Sequence, residues 1–229
     1  MTAKKDKAFV PILEKRLSET TADDLLAANK VSTTIYLRKA HKFALDMDWL
    51  PRSVIPKRRW PAVVYKQKRA ITLEEHEKVI ENEKNPEWRA FYNLHWHISG
   101  SQSDIACLKA EDVNWKEKVI AFLRMKTGSV VQFHFGSEVE NILFDLPGDG
   151  QLLRNLCKMR EQDRAKQFIR RCGFAKVSKG VSLHCSRYAW AERARKAGYP
   201  ERFAKEALGH NSKAVHRAYA KHAQVRVPS

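Results

Sequence analysis

Leu183-His184-Cys185-Ser186-Arg187-Tyr188 is the stretch from which the rest of the chain is read. His184 and Arg187 stand three apart at the start of a helical run, 184–197, that Gly198 ends, so both side chains can leave one face toward a common ligand. His210, at the end of Leu208-Gly209-His210, stands 23 residues after Arg187, and Tyr219 comes nine residues after His210. Upstream, Lys126-Thr127-Gly128 joins two short β-like runs, 119–124 and 129–135, which read as a hairpin with the glycine at its turn. Composition and spacing alone make this a basic protein with a polar cluster near its end.

The composition narrows the partner. The chain has 229 residues, 43 Lys and Arg against 26 Asp and Glu, and a formal charge of +17. Its 43% hydrophobic content is globular, which excludes disorder throughout. No apolar run is long enough to span a bilayer, and lysine-rich Met1 to Lys7 has no apolar segment behind it, so neither a membrane nor a secreted protein is expected. The four cysteines, Cys107, Cys157, Cys172 and Cys185, are far apart and show no metal-binding spacing, so reduced thiols are expected and no metal. A charge of this size argues for a polyanion, with nucleic acid ahead of lipid because no amphipathic anchor is evident.

The charge is concentrated toward the front, where residues 1–69 carry 16 Lys and Arg against 7 Asp and Glu. Residues 51–69 hold Arg52, Lys57, Arg58, Arg59, Lys66, Lys68 and Arg69, no acid, and the helix-breaking Pro51, Pro56 and Pro61, which reads as an extended basic linker or, more plainly, a solvated loop. Before it, 33–49 reads as a helix with an apolar stripe of Ile35, Leu37, Ala40, Phe43, Ala44 and Met47, and with Arg38, Lys39 and Lys42 on other faces; 12–28 is a weaker helix. After it, Thr72 and Glu75 form a capping box that opens a helix to about residue 83. Further helices are expected at 87–98, 104–110, 138–144, 161–171, 200–208 and 212–222, with 113–115 a candidate first strand. The chain divides into 1–50, a short helical segment, 51–69, the linker, and 70–229, the main domain.

The ordered set His184-x-x-Arg187, Leu208-Gly209-His210 and Tyr219, with Lys126 in a hairpin, resembles the tyrosine recombinase (phage integrase) family over residues 70–229, and the basic helical front resembles a shortened core-binding domain. The resemblance implies an α+β, mainly α catalytic fold of a DNA breaking-rejoining enzyme, with a small antiparallel β-sheet. It implies Tyr219 as the nucleophile that forms a 3′-phosphotyrosyl ester, which conserves the bond energy for rejoining without metal or other cofactor. Arg187 and His210 would stabilise the charged phosphate, Lys126 would protonate the departing 5′ oxygen, and His184 would assist proton movement or hold the phosphate. Double-stranded DNA is the implied partner, gripped by Arg38, Lys39, Lys42, Lys57, Arg58 and Arg59. Self-association on DNA as dimer or tetramer, accessory DNA-bending proteins, a mobile element and a cytoplasmic, nucleoid-associated site in a prokaryote or phage are further expectations. Plainer alternatives stay open: Tyr219 as a core or interface aromatic, His184 and His210 as core histidines, Lys126 as a turn lysine.

The chain departs from the family in two places. The family's first arginine lies in Thr-Gly-x-Arg-x-x-Glu/Asp, and here the matching segment is Ser99-Gly100-Ser101-Gln102-Ser103-Asp104. Alignment on Asp104 puts Ser101 at the arginine position, and alignment on Gly100 puts Gln102 there; both are neutral. The residues before Pro51 have room for about two helices, fewer than a full core-binding domain carries. A catalytically weak or inactive relative that acts as a DNA-binding protein is therefore the alternative to an active recombinase. A type IB topoisomerase-like enzyme ranks third, and an RNA-binding module last, since no RNP or GXXG motif is present.

Overall fold

A computed structural model describes residues 15–27, 31–62 and 69–209. His210, Tyr219 and the helix expected at 212–222 lie outside the described residues, as do Lys66 and Lys68. The chain divides into two compact units, Met1–Gln67 and Lys68–Ser229.

In the first unit, Thr21 caps α1 (Ala22–Leu26) by a reciprocal box with Asp24, and α2 runs Val31–Asp46. The face of α2 that is buried differs from the expected stripe. Thr33, Leu37, His41 and Ala44 are covered, whereas Phe43 and Met47 are 54% and 49% exposed. The reason lies in residues 51–62, which fold back instead of running out as an extended linker: Ile55 and Trp60 pack with Leu25 and Leu37. His41 secures the return by accepting the Val54 amide at 3.1 Å and meeting Trp60 edge-on. Arg69, expected in the same linker, belongs to the second unit, where its guanidinium holds both oxygens of Glu75 at 2.6 and 2.7 Å.

The second unit opens with α3 (Leu73–Glu81) behind the expected Thr72–Glu75 box. Asn85 then caps α4 (Pro86–Ile98), with Pro86 at the first position, where its missing amide is no loss. Ser99 ends α4 in the left-handed conformation, φ 56°, and the chain turns at once into α5 (Gln102–Ala106). The helix expected at 104–110 thus starts earlier and stops at Cys107, because Ser101 and Asp104 form a capping box of their own. Strands β1 (Val113–Asn114), β2 (Val119–Leu123) and β3 (Val130–His134) form an antiparallel sheet in sequence order, with Ile120 opposite Phe133 and Leu123 opposite Val130. Helices α6 (Ser137–Phe144), α7 (Glu161–Phe174), α8 (Cys185–Lys196) and α9 (Glu201–Leu208) complete the described part.

The core gathers Phe91, Leu94 and Ile98 of α4 with Ile105, Leu108, Ile120, Leu153 and Leu156, all at most 2% exposed. Side chains of this size each contribute about 1.5–3 kcal/mol on burial, so α4 is the beam on which the other elements are mounted. No helix among the described residues is long and apolar enough to cross a membrane.

Candidate functional site

The site forms where the C-terminal ends of α4 and α9 meet the start of α8. His184 occupies the position before α8, half-buried, with its ring edge-on to Tyr188 at 5.4 Å. One turn on, Arg187 is 6% exposed and donates to two backbone carbonyls, Ser99 at the end of α4 and Leu208 at the end of α9. These are carbonyls that a helix end leaves without an intrahelical partner, so the guanidinium joins two helix termini. Gly209 follows in the left-handed conformation, φ 64°, as helix-ending glycines do. The chain next enters His210, beyond the described residues.

His95 of α4 lies under this arrangement, 1% exposed. Burial above all, then the charge of Arg187, pushes its imidazole down to a pKa of about 3, so it is neutral beneath the guanidinium.

The hairpin expected from 119–135 is present, with a four-residue turn, Met125 to Gly128, closed by the Arg124 amide donating to Ser129 and the Gly128 amide to Arg124. Gly128 takes φ 67° there. Lys126 stands exposed in that turn.

The position of the missing arginine is occupied by residues with other tasks. Ser101 is the N-cap of α5, its hydroxyl accepting the Asp104 amide at 3.1 Å. Gln102 donates to Glu161 at 2.8 Å. Sequence reading did not single out Arg124, which immediately follows β2 and is 5% exposed. Its Nη1 lies 3.2 Å from Asp104, its Nη2 donates to the Ala207 carbonyl, and its Nε has no partner. Asp104 also accepts the amides of Ser101 at 2.9 Å and Met125 at 3.1 Å, so the carboxylate ties α5 to the hairpin. Burial, and next the nearby charge of Arg187, lowers the Arg124 pKa to about 10, which leaves it charged at neutral pH. A signal for it existed: Ile120 and Phe122 point inward, and the two-residue period of a strand sends residue 124 to the same side.

In the first unit, Arg38, Lys39, Lys42 and Lys57 line one groove of about 610 Å³ whose apolar lining includes Ile35, Ile55 and Trp60. Arg58 and Arg59 are exposed in the adjoining turn. A cleft of the second unit, about 750 Å³, is lined by Arg69, His76, Trp96, His97, Glu138 and Arg193 among others, and includes none of the motif residues. No group of three or more His, Cys, Asp or Glu side chains among the described residues could hold a metal ion.

No family model matches this chain, and no curated protein matches it. Solved structures do. A lambda integrase dimer bound to a COC' core site is 15% identical and superposes with a TM-score of 0.74 over 93% of this chain and 68% of that one. The Tn1549 transposon integrase in complex with circular intermediate DNA is 16% identical, with a TM-score of 0.68 over 92% and 84%. The XerH site-specific recombinase bound to palindromic difH substrate is 16% identical, with a TM-score of 0.65 over 88% and 68%. A mainly helical chain with a three-stranded antiparallel sheet that superposes on these structures has the tyrosine-recombinase catalytic fold.

Proposed function

We propose that this chain is a site-specific DNA recombinase or integrase that cuts and rejoins duplex DNA through a 3′-phosphotyrosyl intermediate at Tyr219. The observation that carries this reading is Arg187, a buried guanidinium seated beside half-buried His184 on a fold whose solved examples are integrases and recombinases on DNA.

The Tyr219 oxygen attacks the scissile phosphorus, a new P–O bond forms on the phenol, and the bond to the 5′ oxygen breaks. Lys126 supplies the proton that the departing oxygen needs, and its place in an exposed hairpin turn suits a residue that must reach the DNA strand. Arg187 stabilises the charge on the non-bridging oxygens, and His184 and His210 hydrogen-bond to the phosphate or move the phenol proton. Rejoining reverses the sequence with a free 5′ hydroxyl as the attacking group, so no external energy is consumed. The groove of Arg38, Lys39, Lys42 and Lys57, with Arg58 and Arg59 beside it, neutralises DNA phosphates. Self-association on DNA accompanies the reaction, as in the lambda integrase dimer and tetramer.

A second reading, a relative that binds DNA but cleaves weakly or not at all, is favoured by the neutral Ser101 and Gln102 at the expected arginine position. The test uses nicked duplexes carrying DNA that flanks the gene, with wild type and Tyr219→Phe. A covalent protein–DNA adduct on denaturing gels with wild type alone supports the enzyme. Gel shifts by both proteins without an adduct support the binder.

A further inference from the structure

We infer that Arg124 is the second phosphate-binding guanidinium of the site, supplied from the end of strand β2 in place of the arginine that the start of α5 lacks. The inference rests on the proposed reaction and names the group that holds its phosphate beside Arg187.

Asp104 marks the substitution. In the sequence pattern an arginine precedes an acid by three residues, on one helical turn. Here the acid remains as Asp104, and the guanidinium it holds comes from Arg124, 20 residues further on and in another element. The carboxylate therefore orients a guanidinium toward α9 even though its own helix carries none.

Burial gives the second argument. Arg124 and Arg187 are 5% and 6% exposed and bond successive carbonyls, Ala207 and Leu208, so two like charges share one interior site. Asp104 is the carboxylate within reach of Arg124 among the described residues. Arg124 has already given up its water shell to one carboxylate and one carbonyl, so it stands as a preorganised buried cation. A phosphodiester or its pentavalent transition state offers such a cation several acceptor oxygens.

The third argument is the Nε of Arg124, a buried donor left without a partner among the described residues. Unmade hydrogen bonds on buried donors are uncommon in proteins and call for an explanation; the Nε atoms of Arg164, Arg171 and Arg193 also lack a hydrogen-bond partner among the described residues, and that of Arg124 is distinguished by lying against the Leu-Gly helix end. This Nε lies against Gly209, the last described residue before His210.

The probe is inorganic phosphate, and the readout is thermal unfolding of the full chain in chloride and in phosphate at equal ionic strength. Wild type should gain about 3–6 °C at ten times the dissociation constant of the anion. Arg124→Gln should lose at least half of that gain, and Arg124→Gln/Asp104→Asn, which removes the stranded carboxylate and serves if the single variant does not fold, should lose it equally. A wild-type gain in the double variant overturns the inference, and so does the absence of any gain in wild type. In the nicked-duplex assay Arg124→Gln should slow adduct formation by about 10²–10³ while gel shifts persist. Absence of the Tyr219 adduct in wild type strikes the proposed reaction alone, whereas a phosphate response indifferent to Arg124 strikes this assignment alone.

Discussion

A Cβ on residue 209 would stand 2.6 Å from Nε of Arg124, closer than side-chain atoms approach. The glycine of the Leu-Gly-His motif is thus required twice, by its left-handed backbone and by the guanidinium packed on its Cα. Gly209→Ala is expected to cost about 1–2 kcal/mol from backbone conformation alone, plus the displacement of Arg124. Gly209→Asn separates the two, since asparagine tolerates the backbone but keeps the clash. Urea unfolding that finds Gly209→Asn as stable as wild type would leave conformation as the whole explanation.

Asp104→Ala removes the carboxylate facing Arg124 and the acceptor for the Met125 amide. A buried charge stripped of its partner destabilises by about 3–5 kcal/mol. Adding Arg124→Met should recover part of this, because the uncompensated charge leaves with it. A urea midpoint unchanged by Asp104→Ala would show that the pair is not buried in solution.

Acid should weaken the second unit before its carboxylates titrate. Burial pushes His76 down to about 4 and His95 to about 3, both from the usual 6.5. Between 6.5 and 4 the unfolded chain binds protons that these folded imidazoles refuse, so stability is complete above 6.5 and falls as the pH drops, by about 1.4 kcal/mol per unit for each histidine. His76→Gln should flatten the pH dependence of the unfolding free energy over this window. A slope equal to that of wild type would remove His76 as a contributor.

Lys57, Arg58 and Arg59 are expected to contact DNA phosphates, and each phosphate neutralised adds about −0.9 to the slope of log affinity against log salt. Replacing all three with alanine should flatten that slope by about one to three units. An unchanged slope in a filter-binding titration would take the turn out of the interface.

What could be read from the sequence followed local rules. The Thr72–Glu75 box, the hairpin around Gly128 and the helix that begins beside His184 each depend on residues a few positions apart, and each lies where expected. Long-range packing decided the rest. The buried face of α2 could not be told from its apolar stripe, because the return of Ile55 and Trp60 selects Leu37 and Ala44 and leaves Phe43 and Met47 in water. For the same reason the expected 51–69 linker is folded in its first half, and Arg69 is claimed by Glu75. Arg124 escaped notice because its partners Asp104 and Ala207 are 20 and 83 residues away, separations at which charge pairing leaves no local pattern.

The convergence of two helix termini on Arg187 and Arg124 bears on how salt acts on this protein. The carboxyl end of a helix carries a fractional negative charge, roughly half an electron, so α4 and α9 together supply about one. With Asp104 this nearly balances the two guanidiniums before any DNA arrives. The interior site thus holds permanent counter-charge made of peptide dipoles, which cannot diffuse away as sodium or chloride can. On the proposed reading, phosphate entry there exchanges one fixed acceptor for another and releases no mobile ion. The ionic-strength dependence of DNA affinity then comes from exposed cations, and the buried pair acts on the rate of the phosphoryl step.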